Sequence, residues 1–547
     1  MKFTKKALLG CAVLATAGLS FAQDYDDFDA FASDAPETSF TAGGTFETTA
    51  RSYLDEADHE IEGLDDISTL HTEAGATGKL NLTYSGISSE LNAVIKFDSN
   101  SLGEYPEDIL DEFTARAFMG NLILEAGKMR VVWGKGDKNH VVDNFNANDY
   151  TDYIFPDYLD RRIAEPMFRA VYATNSDVKF EAIWTPVMTA DRLASSGNWQ
   201  PKASKALTST VKSTALSYLA SATEAKVNAN QLATEFATLY AEYSAGDTNA
   251  GTALTSLLSS NATTLSAYGF DGNTATAAEA IEAYVTAAET AYLTALSNTG
   301  SLTDSLYPDT YQLKYGQAGL RTTFTAGGFD LGFSYYYGHY KQPSANLSKM
   351  EAYATKVLTG SDISESDKFL AYDKLQVFGI EGATVFGPLN IRFEAAYNLT
   401  EDTDGDDPWV HNNSIAWEAG FDMDLPVSNV NFNIQTVGKY ILNGDKINDG
   451  IYKAYDVDGD ANDCYTNNKI IVDITDSYRN DSIKLDIKGV WGIERGDVVV
   501  MPSLTFDVRD DMTLSLSGLY IWCKDEDSEF DGWENNSFAQ VGIKYLF

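Results

Sequence analysis

Cysteine is nearly absent: three residues in 547. Cys11 falls in a stretch that reads as a cleaved leader, and Cys464 and Cys523 alone do not make a disulfide framework. They are open to pairing or to remaining thiols. Histidine is scarce too, at His59, His71, His140, His339 and His411. Only His339 falls well inside a predicted strand, so a Ser/His pair on neighbouring strands is not legible and catalysis is not expected. No phosphate loop, zinc spacing or dinucleotide fingerprint stands out. Basic charge is short: 39 Lys and Arg face 80 Asp and Glu. That balance excludes a nucleic-acid surface and predicts a strongly solvated exterior. Beyond the leader, no apolar run approaches the ~18 residues of a spanning helix. If this chain crosses a membrane, it does so with strands.

Residues 1–22 read as a secretory signal. Lys2, Lys5 and Lys6 precede an apolar run from Ala7 to Leu19, and Ser20-Phe21-Ala22 fits a cleavage site. Leu8-Leu9-Gly10-Cys11 imitates a lipoprotein box but comes before most of the apolar run. Residues 23–38 are acidic and aperiodic, a flexible lead-in expected on the periplasmic side. From residue 39 onward the pattern changes to strands in pairs. Tight turns rich in Gly, Asn, Asp and Pro alternate with long loops, as at Gly120-Asn121, Gly327-Gly328 and Gly387-Pro388.

The alternation is clean. Leu389, Ile391, Phe393, Ala395, Tyr397 and Leu399 oppose Asn390, Arg392, Glu394, Ala396, Asn398 and Thr400. Val430, Phe432 and Ile434 oppose Asn431, Asn433 and Gln435, and Ile483, Leu485 and Ile487 oppose Lys484, Asp486 and Lys488. Tyr337, Tyr397, Trp491, Tyr520 and Trp522 stand at strand ends, as an interfacial girdle would. The chain ends Ser537 to Phe547 with Ala539, Val541, Ile543, Tyr545 and Phe547 on one face. That ending resembles the last strand of bacterial outer-membrane barrels. We expect an all-β protein over residues 39–547: an antiparallel transmembrane β-barrel of about 18 strands, or 16, with an α-helical insertion. A secreted soluble β-protein would also alternate.

The insertion spans residues 202–300. Ile281, Tyr284, Val285, Ala288, Tyr292 and Leu296 follow helical spacing, as do Leu232, Phe236, Leu239, Tyr240 and Tyr243. Three or four helices are expected, capped at Asn230 and Thr274, in an extracellular connection that caps or plugs the barrel. A tolerated surface insertion is the plainer reading.

Alternation assigns the inner wall. Its basic members are Arg51, Lys79, Lys96, Arg116, Lys179, Arg321, Arg392, Lys439, Lys484, Lys488 and Lys544. Its acidic members are Glu47, Glu90, Asp98, Glu181, Asp330, Glu381, Glu394 and Asp486. The expected wall is balanced to slightly positive, and its charges are placed inside because Lys or Arg facing mid-membrane lipid costs about 2–4 kcal/mol. Ion pairing that braces a wet lumen accounts for such charges without a substrate.

Leu122 to Asp160 is the most distinctive stretch. It carries Gly127-Lys128, Trp133-Gly134 and Asp143-Asn144-Phe145-Asn146-Ala147-Asn148-Asp149. This resembles a large, largely uncharacterised family of Gram-negative outer-membrane barrels. In that family Gly-Arg-Gln precedes Trp-Gly and an Asp-x-x-Asn-Pro-x-Asp loop. Lys128 replaces the Arg, Ala147 replaces the Pro, and the Gln is not evident. Met501-Pro502 through Asp510-Asp511 to Phe547 also resembles that family's ending. The resemblance implies porin-like or hydrophobic-solute transport, by analogy of fold.

The loop Lys135 to Pro166 mixes aromatics and charges, and Arg169 follows just beyond it. Asp143, Phe145, Asn146, Asp149, Tyr150, Tyr153, Arg161 and Arg162 are expected to fold inward and narrow the bore. Packing against the helical insertion or a neighbouring loop is the alternative. Two acidic loops, Asp402-Asp404-Asp406-Asp407 and Asp456-Asp458-Asp460, have alternate carboxylates able to wrap calcium, but lack the EF-hand Gly and Glu. No other cofactor is expected.

The primary functional expectation is a pore or transporter for small solutes, after export. The expected partners are outer-membrane lipid, the solutes and the barrel-assembly machinery, with a second copy of the chain left open. The alternatives are a surface structural or adhesive protein anchored by its barrel, and uptake of hydrophobic molecules.

Overall fold

The computed structural model describes residues 38–54, 72–137, 139–300, 302, 306–460 and 463–547. The signal and all but the last residue of the lead-in lie outside these residues, as do His59 and His71. The chain forms two compact units: Lys202–Pro308 with Ala345–Ala371, and the remainder.

The larger unit is a closed antiparallel ring of 18 strands. Its strands are β1 (Ser39–Tyr53), β2 (Thr72–Ser85), β3 (Ser89–Phe97), β4 (Leu110–Met119), β5 (Leu122–Met129), β6 (Glu165–Ala173), β7 (Lys179–Thr185), β8 (Gln317–Ala326) and β9 (Phe329–His339). They continue as β10 (Lys374–Phe386), β11 (Leu389–Leu399), β12 (Ser414–Asp424), β13 (Asn431–Ile441), β14 (Thr466–Tyr478), β15 (Ile483–Gly492), β16 (Val498–Arg509), β17 (Met512–Trp522) and β18 (Phe538–Leu546). Each strand pairs with its neighbours in sequence, and β1 pairs with β18 from Thr45↔Leu546 to Tyr53↔Phe538. The Phe547 carbonyl accepts from Gly44 N at 2.8 Å, so the last residue is built into the seam. Closure leaves no strand edge, which is what a sheet immersed in lipid requires.

The turns explain the meander. Gly327 and Gly328 both have positive φ, 60° and 84°. That is the geometry whose twist matches a two-residue hairpin, and glycine adopts it without a Cβ clash. The tight turns and both ends of the ring share one side, since Ser39 pairs with Ser85 at the β2–β3 turn. Outward residues are apolar and exposed, among them Leu91, Phe168, Trp184, Leu320, Phe378 and Val541. The girdle aromatics Tyr337, Tyr397, Trp491, Tyr520 and Trp522 are exposed with them. So wide an apolar belt is stable against lipid and a liability in water.

β5 ends at Met129, where the chain turns inward and buries Trp133 completely. β8 begins at Gln317, after a single 3-10 turn at Leu313–Tyr315.

The smaller unit contains α1 (Lys202–Ser244), α2 (Thr248–Ser260), α3 (Thr274–Asn298) and α4 (Met350–Thr359). None of the described helices is long and apolar enough to cross a membrane. Leu232, Phe236, Leu254, Leu258, Phe270 and Ile281 share one core. A second core joins Val211 and Ala215 to Tyr353, Val357 and Leu358. That second core is why the unit recruits α4, which lies outside the expected 202–300 boundary. The expected caps are corrected. Asn230 lies inside α1, its Nδ2 donating to the Lys226 carbonyl at 2.8 Å. Thr274 is the first helical residue rather than the cap. The working cap is Asp247, whose side chain accepts from the amides of Asn249 and Ala250.

Candidate functional site: a barred lumen

The alternation that exposes leucine and phenylalanine outward turns arginine and glutamate inward. Around β3 to β10 these form one continuous ladder. Arg116 reaches Glu90 at 2.8 Å and Glu125 at 2.6 Å. Arg169 joins Glu125 to Glu181, each at 2.6 Å. Arg321 lies 3.6 Å from Glu181 and also pairs with Glu381. Each carboxylate in the run faces a guanidinium, whose planar fork suits two acids at once.

The segment from Arg130 to Ala164 leaves β5, enters the bore and returns at β6. It is held together internally by Asn146. Its side chain accepts from Val131 N at 2.8 Å and donates to the carbonyls of Met129 at 3.0 Å and Ile163 at 2.9 Å. One buried amide therefore staples both stems of the loop. Asp143 is buried, bonded to Arg162 at 2.9 Å and to the Tyr158 hydroxyl at 2.6 Å. Asp149 accepts from the Thr151 amide at 2.9 Å and pairs in register with Arg192. The Asp, Asn and Asp of the distinctive loop thus each fix its backbone. Tyr150 lies under Arg161, 5.9 Å from guanidinium to ring, and burial pushes its hydroxyl up to about 12.

The same loop is pinned to the wall on opposite sides. Asp152 pairs with Arg51 on β1, and Asp160 with Lys79 on β2 at 3.4 Å. Asp157 pairs with Lys488 on β15 at 2.5 Å. Across the bore, Glu394 on β11 accepts from the amides of Lys135, Gly136 and Val141 at 2.8, 2.7 and 2.8 Å. It also meets His140 Nδ1 at 2.8 Å. Burial opposes a charge on that imidazole, but the Glu394 carboxylate outweighs it and raises the His140 pKa. Asp137 accepts from Asn433 on β13 at 2.6 Å. In an 18-stranded ring, β2 and β11 stand half a circumference apart.

Two apolar clusters anchor the crossing. Trp133, Val142 and Phe145 pack on Met167, Ile183, Tyr336, Val377 and Ala396 of the wall. At the far side Tyr153 stacks on Trp199, 5.3 Å apart and 2° from parallel, within a cluster that includes Tyr53, Val499, Leu519 and Phe538.

The remaining expected wall residues are placed as follows. Lys96 pairs with Asp98 at 2.8 Å. Arg392 pairs with Asp422 at 2.7 Å, and Lys439 lies 6.0 Å from the Tyr340 ring. Asp486 lies 3.4 Å from Lys488, and Lys484 lies 3.8 Å from Asp507 near the short-turn end. The expected set of wall residues was incomplete. Glu125, Glu165, Glu418 and Asp422 are also buried there, and the alternation list omitted them. Arg169, placed just beyond the loop by the sequence, is a rung of the ladder. Extending the same alternation to the β5, β6 and β12 segments would have found these residues.

The acidic loops are less open than expected. Asp402 accepts from the amides of Gly405 and Asp407. Asp458 accepts from Asn412 N at 2.7 Å and meets His411 Nδ1 at 3.0 Å. Burial would raise the Asp458 pKa, but those partners hold it below the ordinary carboxylate value. Asp456 accepts from Asp458 N, and Asp460 from the amides of Cys464 and Tyr465. Among the described residues, no group of three or more His, Cys, Asp or Glu side chains is set to hold a metal ion.

No family model matches this chain, and no curated protein matches it. Solved structures do align with it. A BenF-like porin from Pseudomonas fluorescens Pf-5 aligns at 6% identity and a TM-score of 0.41, over 93% of this chain and 98% of that one. OccK11 (OpdR) of Pseudomonas aeruginosa aligns at 7% and 0.40, over 93% and 96%. OmpT, an outer membrane protein of Vibrio cholerae, aligns at 8% and 0.33, over 94% and 99%. The barrel itself rests on the strand register described above.

Proposed function

We propose that this protein is an outer-membrane channel that passes small solutes through a charge-lined bore narrowed by the loop of residues 130–164. The observation that carries this reading is the loop's path. It is bonded to β1 and β2 on one side and to β11 and β13 on the other, inside a closed ring with an apolar exterior. A barrel serving only as an anchor has no need of a bar across its lumen. Uptake of hydrophobic molecules through a gap in the wall has less support, because every neighbouring pair of strands is hydrogen-bonded.

The test is conductance of the purified protein in planar bilayers. Discrete steps are expected, and deletion of Asn144 to Tyr158 should raise the unit conductance severalfold. Unchanged conductance after the deletion removes the constriction. Absence of steps in both proteins favours the anchored surface protein instead.

A further inference from the structure

One side of α1 is packed and the other is not. Val211, Ala215, Ala229, Leu232 and Phe236 are buried within its own unit. On the opposite side of the helix Leu216 is 60% exposed and Val227 56%. Three turns separate these two, so they stand in one line along the axis, about 16 Å apart.

The charges on that side are sorted by end. Lys205 and Lys212 stand two turns apart in the first third of the helix, and Glu235 and Glu242 two turns apart in the last third. All four are exposed. The first turn of α1 holds no acid and the last turn no base. That order opposes the helix dipole, which favours acids at the N-terminus and bases at the C-terminus. The unit does not offset it. Lys226 meets Glu289 at 2.9 Å, while Lys205, Lys212, Glu235 and Glu242 have no ion-pair partner among the described residues.

A second α1 laid antiparallel answers both features. Reversal sets the lysine end of each helix beside the glutamate end of the other and opposes the two dipoles. With Leu216 against the partner's Val227, Lys205 and Lys212 fall within about one turn of the partner's Glu242 and Glu235. A single two-fold axis generates both halves of this contact, as a self-complementary surface requires. A parallel pair would bring like charges together at both ends.

We propose that this face of α1 is a self-association surface whose occupant is α1 of a second copy of the chain, packed antiparallel. The inference rests on no part of the channel reading.

Sedimentation equilibrium of the full chain in detergent micelles tests it. Wild type should show a reversible monomer–dimer equilibrium that weakens with added salt. A copy carrying Lys205→Glu with Lys212→Glu, and a copy carrying Glu235→Lys with Glu242→Lys, should each dissociate about tenfold more readily when alone. Mixed together, the two should pair, because every opposed charge is then of opposite sign. A second readout leaves these charges intact. In a Cys464→Ser background, which removes the exposed native thiol, Leu216→Cys copies mixed with Val227→Cys copies should cross-link faster than either alone. A wild type that stays monomeric, reversed copies that self-associate like wild type, or a mixture that does not pair overturns the proposal. Cross-linking no faster in the mixture than in the separate copies overturns it too.

Discussion

The inner wall from β3 to β10 and the inner wall from β10 to β12 use the same residue type, a buried glutamate on an inward position. They differ in what faces it. In the first arc each glutamate meets an arginine from a nearby strand, so the wall neutralises itself. In the second arc Glu394 is satisfied by backbone amides of the crossing loop, and Glu418 has no hydrogen-bond partner among the described residues. The first arc braces the barrel with or without the loop. The second depends on the loop and can therefore report on it.

The comparison is broken most severely at Arg169. Replacing it with alanine leaves Glu125 only Arg116 and Glu181 only Arg321 at 3.6 Å, and should cost about 3 kcal/mol, because two buried acids each lose one of their counter-charges. Thermal unfolding of the detergent-folded barrel would show it, and adding Glu181→Gln should recover part of the loss.

Glu394→Ala should act on the second arc alone. Losing a carboxylate that accepts several loop amides should cost about 2 kcal/mol locally. Exchange at residues 135–142 should rise while the barrel's unfolding temperature stays put; equal losses in both would merge the two arcs. Asn146→Ala sharpens the contrast, since it cuts the loop's own staple and touches neither arc. About 1–2 kcal/mol of loop stability should go, read as protease cleavage between Gly134 and Arg162.

The smallest effect lies outside the wall. Asp458 has its pKa depressed in the fold. Its stabilising share is therefore complete above the ordinary aspartate value of about 3.9 and is lost as pH falls through the lower folded value. Acid should loosen the His411–Asp458 contact, visible in the His411 ring signals, and Asp458→Asn should remove that dependence.

The barrel was legible because its rule is local. Alternation in Leu389–Leu399 or Ile483–Gly492 names the face of every residue, and the turn residues name the reversals. The same rule found Arg116, Arg321 and Glu394 on the wall. Carried through Ser414–Asp424, the same alternation turns Glu418 and Asp422 inward as well. The loop's inward course was inferred from its aromatic content, but its partners were not. Nothing near Asp137 in the sequence points to Asn433, and nothing near Tyr153 points to Trp199. The two caps differ from expectation for separate reasons: the helix already runs through Asn230, whereas at Thr274 the cap is the preceding residue, Asn273.

By itself, the sequence determined two-faced antiparallel strands joined by tight turns, a pattern that a closed ring in lipid satisfies because every backbone group is then paired. Only the tertiary structure decided which buried glutamates receive a counter-charge. Arg169 can reach Glu125 because paired strands lie about 5 Å apart. Among the described residues Glu418 finds no hydrogen-bond partner, while Arg392 and His140 are held by Asp422 and Glu394.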